Sequence, residues 1–298
     1  MPRKFRPKLP RIRAEQRAIE RKTVKGLAPF RLLDRLDSWQ QLLLDRHAFA
    51  VNHHGKATGE LRSFLEVFVS LSSMALANVE AARTLVLRGF YGNALGILRT
   101  LTSQNNLLQD LVRSRASVRR WLELREIGID DRSKESNLKR EYFMDKQVEK
   151  RLSGAGIEPL SLDLMRIGTE AVHGTPRGSV FYMSEDLERP GSLSAAFEPQ
   201  RHPTRYLQEL VMLLSTMPNL CGPFLNKLKG HFGRDDEFDL LISRFFLLGD
   251  TYAIELAKYE ILFAHFFGKV EERLRAGEDF DEVLKDMMGK DPSEFLDG

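Results

Sequence analysis

The fold of this chain is decided by residues 61–112, LRSFLEVFVSLSSMALANVEAARTLVLRGFYGNALGILRTLTSQNNLLQDLV. Apolar side chains recur there at steps of three and four residues, the spacing of one face of an α-helix. They are Leu61, Leu65, Phe68, Leu71, Ala75, Val79, Ala82 and Val86, followed by Ala94, Leu98, Leu101, Leu108 and Val112. Gly89 and Gly92 bracket a connection short enough to fold the second helix back on the first. The pattern therefore predicts an antiparallel helical hairpin over residues 57–114.

The segments around the hairpin also carry helical patterns, so the sequence predicts an all-α, multi-helix bundle. The further helices are expected at residues 29–51, 117–127, 134–152, 204–229 and 235–275. Pro218 should kink or divide the fourth of these, because proline lacks the N–H that a helix interior requires. The last helix carries a stripe of mainly aromatic and leucine side chains. It consists of Phe238, Leu241, Phe245, Leu248, Tyr252, Leu256, Tyr259, Phe263, Phe266, Val270 and Leu274. Such a stripe indicates either core packing or a subunit contact.

The chain is expected to form one helical domain with an arm, an insert and a tail. Residues 179–199 lack a helical stripe and contain Pro190 and Gly191, so they predict an irregular insert with short strands near 180–183 and 193–197. The expected organisation is a basic N-terminal arm at 1–26, a single helical domain at 27–290 that includes the insert, and a tail at 291–298.

A run of neutral polar residues occupies the middle of the second hairpin helix, from Thr100 to Asn106. Buried polar atoms without partners cost about 1–3 kcal/mol each, so a buried run should be hydrogen-bonded to a neighbouring helix. The alternative is that these residues are simply exposed. The sequence leaves both readings open.

Composition excludes several classes of protein. No stretch of about 18 uncharged apolar residues is present, which predicts no transmembrane helix and no membrane partner. The basic N-terminus lacks the apolar segment of a secretory signal, and Cys221 is the single cysteine, so a cytoplasmic protein without disulfides is expected. There is no phosphate-binding glycine loop and no G-x-S-x-G elbow.

His53 and His54 fall in an expected break at residues 52–55 and should have surface or capping roles. No metal and no cofactor is predicted.

Charge is distributed unevenly along the chain. Residues 1–26 hold ten Lys or Arg against Glu15 and Glu20, a net charge of +8, which leaves −5 for the rest of a chain whose total is +3. Such an arm can bind phosphates by releasing counterions, or an acidic face of another protein, or it can be a solvated tail. Residues 11–25 could form a short basic helix. The arm residues expected to contact nucleic acid are Arg3, Lys4, Arg6, Lys8, Arg11 and Arg13.

A candidate catalytic group lies in residues 161–178, SLDLMRIGTEAVHGTPRG. Arg166 and His173 are seven residues apart and share one helix face, with Thr169 between them. An arginine can stabilise a charged phosphate while a histidine moves protons, which suits metal-independent RNA cleavage through the 2′-hydroxyl. The same spacing also occurs at Arg46 and His53, so spacing alone does not define the site.

Two runs of the chain resemble a widespread bacterial all-helical family of unknown function, some of whose members are HEPN-like. They are EAARTLVLRGFYGNALGILRTL at residues 80–101 and TEAVHGTPRG at 169–178, and the resemblance covers about residues 60–180. The matching motifs are Ala94 followed by Arg99, and Thr169 followed by His173. The resemblance implies a metal-independent endoribonuclease with His173 as general acid or base and Arg166 or Arg99 as phosphate stabiliser. The alternative is that Arg99, Thr169 and His173 form a structural polar network between two helices.

Three functions therefore remain open at this point. The first is a nucleic-acid-binding protein, with RNA as the expected ligand, that uses the basic arm and acts in stress response or phage defence. The second is the metal-independent endoribonuclease. The third is a non-catalytic oligomeric scaffold that associates through the long helix near residues 245–266.

Overall fold

The computed structural model describes residues 31–127, 131–159, 184–185, 193–194 and 203–278, and also residues 13–14, 16–18, 20–21, 24, 283 and 286. These residues form packed α-helices, which confirms the predicted all-α fold class. The helices are α1 (Leu32–His54), α2 (Gly59–Leu87), α3 (Tyr91–Arg113), α4 (Arg115–Glu126), α5 (Arg132–Leu138), α6 (Asp145–Gly154), α7 (Pro203–Phe232) and α8 (Asp236–Arg275).

The predicted hairpin is formed by α2 and α3. Helix α2 ends in a Schellman motif: Phe90 N–H donates to the Leu85 carbonyl at 2.8 Å and Gly89 N–H to the Val86 carbonyl at 3.0 Å. Gly89 has a φ of +82°, a left-handed conformation that costs glycine little. This closing turn sends α3 back along α2, as the sequence predicts.

Helix α7 lies at the centre of the bundle and packs against α1, α2, α3 and α8. The Phe224 ring stacks on Phe68 of α2 with 3.6 Å between the ring centroids. Pro218 and Pro223 both lie within α7, which remains one helix, so of the two expected outcomes at Pro218, a kink or a division, the division is wrong and the kink stays a prediction. Tertiary packing outweighs the missing N–H groups, because Leu213, Met217, Leu220 and Phe224 are all buried.

The segment predicted as one helix at residues 134–152 is divided. Helix α5 continues into a short π-helix, Lys139–Phe143, and Met144 then adopts an extended backbone conformation before α6 begins. The Phe143 ring packs edge-on against Trp121 of α4 at 5.4 Å. Contacts with other helices thus redirect the chain at a point where the local charge pattern predicts continuity.

The described part of the α8 stripe confirms core packing at its beginning. Phe238 and Leu241 are buried, and Trp39 of α1 packs edge-on against both Phe245 and Tyr252 at 6.0 Å. The remaining stripe residues lie outside the described side chains. They are Leu256, Tyr259, Phe263, Phe266, Val270 and Leu274.

The arm, insert and tail fall mostly outside the described residues. The described positions between residues 13 and 24 are helical, and Arg88 Nε donates to Glu20 Oε2 at 3.0 Å. Within the insert, β1 (Ser184–Glu185) pairs antiparallel with β2 (Leu193–Ser194). The second strand falls in the predicted position, and the first lies just after its predicted position.

One described helix, α2, is long and apolar enough to cross a membrane by length and composition. It packs, however, against α1, α3 and α7, and Leu65, Phe68, Val79 and Ala82 belong to the hydrophobic core. Helix α2 therefore has the packing of a core helix.

Candidate anion-binding cleft

A cleft of about 400 Å³ lies where the starts of α2 and α4 meet the end of α7. Binding sites for small molecules commonly enclose about 300–1,000 Å³, so the cleft could hold a ligand of nucleotide size. Its walls come from Gly59, Glu60, Leu61, Ser63, Phe64, Leu111, Arg115, Val118, Arg119, Lys227 and His231.

Local sequence places two helix N-termini at this cleft. Helix α2 begins at Gly59, whose φ of +56° lies in the left-handed region that favours glycine. Helix α4 begins after Ser114, whose hydroxyl oxygen accepts a hydrogen bond from Ser117 N–H at 3.1 Å, as is typical of an N-cap. The N-terminal end of a helix carries a partial positive charge, which favours an anion, but the C-terminal ends of α3 and α7 at the same cleft carry the opposite partial charge, so the charged side chains decide its sign.

Cationic side chains outnumber acidic ones in the cleft. Arg115, Arg119 and Lys227 line it together with a single carboxylate, Glu60. Arg115 pairs with Glu60 at 2.5 Å, but the two side chains are 73% and 52% exposed, and an exposed ion pair holds its partners weakly. Arg119 and Lys227 form no ion pair with any residue in the described part of the chain. The cleft therefore presents a net positive charge to solvent.

The floor of the cleft is apolar. Phe64, Leu111 and Val118 are buried there, and Lys227 Nζ lies 5.9 Å from the centroid of the Phe64 ring. This arrangement suits a ligand with an apolar portion and one or more anionic groups. The cationic rim would contact the anionic groups, while the apolar portion would pack on the floor.

Arg99, a predicted catalytic residue, lies elsewhere on α3. Its Nη2 donates to Asp145 Oδ2 at 3.3 Å, and the two side chains are 29% and 37% exposed. Arg99 and Leu111 are twelve residues apart, about 18 Å along a helix, so Arg99 is distant from the cleft. This contact links α3 to α6.

The other predicted site residues fall largely outside the described part of the chain. Arg166, Thr169 and His173 lie outside it, so their relation to Arg99 stays a prediction. In the basic arm, Arg13 is helical and exposed. The remaining predicted arm contacts, Arg3, Lys4, Arg6, Lys8 and Arg11, also lie outside the described residues.

Most of the polar run of α3 is buried, as the first of the two interpretations predicts, whereas Thr100 is exposed and Ser103 is partly buried. Thr102 and Asn105 are fully buried and Gln104 is 7% exposed. Asn105 Nδ2 donates to the Thr216 carbonyl of α7 at 3.2 Å, and Asn78 of α2 donates to Gln104 Oε1 at 3.4 Å. The run therefore forms a polar seam with hydrogen bonds to two neighbouring helices.

His53 has a partner that the sequence analysis did not anticipate. Helix α1 continues to His54, so the break expected at residues 52–55 begins only at Gly55. His53 Nδ1 bonds to the Phe49 carbonyl at 2.9 Å, and Nε2 lies 3.5 Å from Asp235 Oδ2. With Glu237, these groups bring three potential metal ligands within 4.8 Å of one another. Asp235 Oδ1, however, already accepts from Phe238 N–H at the start of α8, a helix end that disfavours cations.

The sequence analysis did not single out the cleft residues. A signal was present, because Arg115 and Arg119 are four residues apart, as are Lys227 and His231, and such pairs share a helix face. What could not be seen was that these two faces meet across more than a hundred residues of chain.

No protein-family model, curated protein or solved structure matches this chain. The fold and the site together define an all-α protein with a cationic cleft.

Proposed function

We propose that this protein binds nucleic acid, with RNA as the expected ligand, and that the cleft supplies phosphate contacts in addition to the basic arm. The observation that carries the proposal is the excess of cationic side chains over an apolar floor, with Arg119 and Lys227 free of acidic partners among the described residues. Lysine and arginine side chains that are not paired internally can neutralise phosphates and release counterions.

The shape of the cleft favours single-stranded over double-stranded ligands. At about 400 Å³ it has room for one or two nucleotides rather than a duplex. Single-stranded binding commonly combines a positively charged groove with base contacts to apolar or aromatic side chains. The arm at residues 1–26 would add sequence-independent affinity.

RNA cleavage is the alternative activity. It receives less support because Arg99, one of its two candidate phosphate stabilisers, is engaged with Asp145. The binding assay therefore includes a cleavage readout. Degradation of RNA in the presence of EDTA that disappears in His173→Ala would make the protein a metal-independent ribonuclease.

The test measures fluorescence anisotropy of a labelled single-stranded RNA against a salt series. Arg119→Ala combined with Lys227→Ala should weaken binding, because each lost phosphate contact on a single strand lowers the slope of log K against log salt by about 0.7. The expected change in slope is therefore about 1.4.

A matched control removes the same charge elsewhere. Arg132 and Lys150 are exposed, do not line the cleft and form no ion pair with described residues, so Arg132→Ala with Lys150→Ala should leave affinity and slope nearly unchanged. Equal effects of the two double variants would show that only net charge matters. Absent or salt-insensitive binding by the full chain would refute the proposal altogether.

A further inference from the structure

A second polar feature lies inside the bundle, on the inner face of α1. Arg46 is 1% exposed, and its guanidinium carbon lies 4.5 Å from the centroid of the Phe68 ring and 5.2 Å from that of Phe224. Its Nη1 donates to the Leu220 carbonyl of α7. An arginine is very rarely buried to this extent without a carboxylate beside it.

Arg46 has no anionic partner among the described residues. The nearest ionisable group that raises its pKa is the Cys221 thiol, and burial raises the pKa of that thiol to about 11, so it is neutral at physiological pH. Burial lowers the pKa of Arg46 only to about 10, so the guanidinium remains charged. The two ring faces and the Leu220 carbonyl offset part of the cost of burying this charge, but they supply no counter-charge, and a buried charge without one is unfavourable.

A small cavity adjoins this charge. Its walls include Arg46, Phe68, Ser72, Gln104, Leu108 and Leu220. Its volume is about 10 Å³. That is room for one water molecule or one monatomic ion, and too little for phosphate, sulfate or a carboxylate.

Two residues that line the cavity each have a buried N–H donor without a protein acceptor. The donors are Arg46 Nε and Gln104 Nε2, each with no hydrogen-bond partner within the described part of the chain. Gln104 is itself 7% exposed, and its oxygen already accepts from Asn78. The remaining hydroxyl, that of Ser72, donates to the Val69 carbonyl at 3.1 Å and lies 2.6 Å from His47 Nδ1.

We propose that this cavity binds a monatomic anion, chloride under ordinary conditions, held by Arg46 Nε and Gln104 Nε2. An anion accepts both donors and supplies the missing counter-charge. A water molecule could accept the same two bonds, but it would leave the guanidinium uncompensated, and its own hydrogens would need acceptors in a largely apolar cavity.

The bound anion would connect α1 and α3, the helices of its two donors, Arg46 and Gln104. Phe68 of α2 and Leu220 of α7 also line the cavity. A ligand that binds the folded state alone raises stability with its concentration, and a hundredfold excess over Kd shifts the folding equilibrium about a hundredfold. For a chain of 298 residues, that shift corresponds to a rise in Tm of about 4 °C.

The test compares thermal unfolding of the full chain in chloride and in gluconate at equal ionic strength. Chloride and bromide should raise Tm, and gluconate should not. Gln104→Leu removes one donor and should reduce the chloride-dependent rise by at least half. Gln109→Leu is the control, because Gln109 lies on the same helix, is 9% exposed and does not line the cavity; its chloride response should equal that of the unmodified protein.

Crystals soaked in bromide provide a second measurement that does not depend on any variant. An anomalous peak should lie within hydrogen-bond distance of Arg46 Nε and Gln104 Nε2. A peak without any halide-dependent stability would mean an adventitious ion only and would overturn the proposal. So would a Tm that is the same in chloride and gluconate, in which case the cavity holds water.

Discussion

At the scale of single residues, the described structure has its best-defined ion pair between Asp110 of α3 and Arg151 of α6. Arg151 Nε donates to Asp110 Oδ1 at 3.0 Å and Nη2 to Oδ2 at 2.8 Å. Arg151 also donates to the Tyr142 carbonyl at 2.8 Å and lies over the Tyr142 ring. Asp110 is 4% exposed, and Arg151 is the ion-pair partner of its carboxylate among the described residues.

Replacing Asp110 by Asn should therefore be costly. The substitution keeps the shape and removes the charge, leaving Arg151 without its counter-ion in a mostly buried position, so the free energy of unfolding should fall by about 3 kcal/mol. Urea denaturation measures the change. Asp145→Asn is the control, since it removes a more exposed carboxylate between the same two helices and should cost less than about 1 kcal/mol. Similar losses of unfolding free energy for the two variants would contradict the view that the buried Asp110 pair contributes more than the exposed Asp145 pair.

At the scale of secondary-structure elements, the two pairs together specify how α6 lies on α3. Arg99 pairs with Asp145, and Asp110 pairs with Arg151. Helix α3 therefore contributes the positive charge at one end of the contact and the negative charge at the other. A reversed α6 would bring Asp145 towards Asp110 and Arg151 towards Arg99, which like-charge repulsion disfavours. The pairs thus add directional specificity to a contact that apolar packing alone would leave less defined.

The contact between α7 and α8 depends on a glycine. A Cβ atom at Gly222 would lie 3.1 Å from Cζ of Phe245, whereas one at Gly230 of the same helix would meet nothing within 4 Å. Alanine is a better helix former than glycine by up to about 1 kcal/mol, but crowding a packed interface costs about 1–3 kcal/mol. Calorimetry should show Gly230→Ala stabilised by about 0.5 kcal/mol and Gly222→Ala destabilised by about 1 kcal/mol. Stabilisation of both variants would mean that Phe245 moves freely.

The elements that the sequence predicts best are those whose signals are local. The α2–α3 hairpin follows from apolar periodicity and from Gly89, which lie within one stretch of chain. The break at Met144 could not be predicted in this way, because it depends on Phe143 meeting Trp121 of another helix. The continuity of α7 through Pro218 likewise depends on tertiary packing. The cleft combines a local and a tertiary signal. The spacing of Arg115 and Arg119 can be seen in the sequence, but the cleft itself forms only where three distant segments of the chain meet.

At the scale of the whole molecule, the hydrophobic core combines two distant parts of the sequence. Its buried residues extend from Leu32 to Val118 and again from Leu210 to Leu241. Phe68 stacks on Phe224 across this division, and Asn105 donates to the Thr216 carbonyl. The core residues of each part therefore pack against core residues of the other part.

Two fragments, residues 1–159 and 200–298, should therefore associate when they are produced together, and each should aggregate when produced alone. Affinity purification through a tag on the first fragment measures the association. Phe224→Asp in the second fragment should abolish it, because it buries a charge in the core. Phe246→Asp should not, since Phe246 is 58% exposed. Soluble, folded first fragment on its own would contradict the prediction.

The central position of α7 also has a consequence for biosynthesis. A ribosome adds about 5–20 residues per second, so the roughly 120 residues between the end of the first core segment and the end of the second take about 6–25 s to appear. During that interval the nascent chain exposes the faces of α1, α2 and α3 that α7 will cover. The Arg46 guanidinium also lacks the hydrogen bond that it donates to the Leu220 carbonyl in the folded protein. The order in which the helices emerge thus defines a period when apolar faces of the growing chain are open to aggregation.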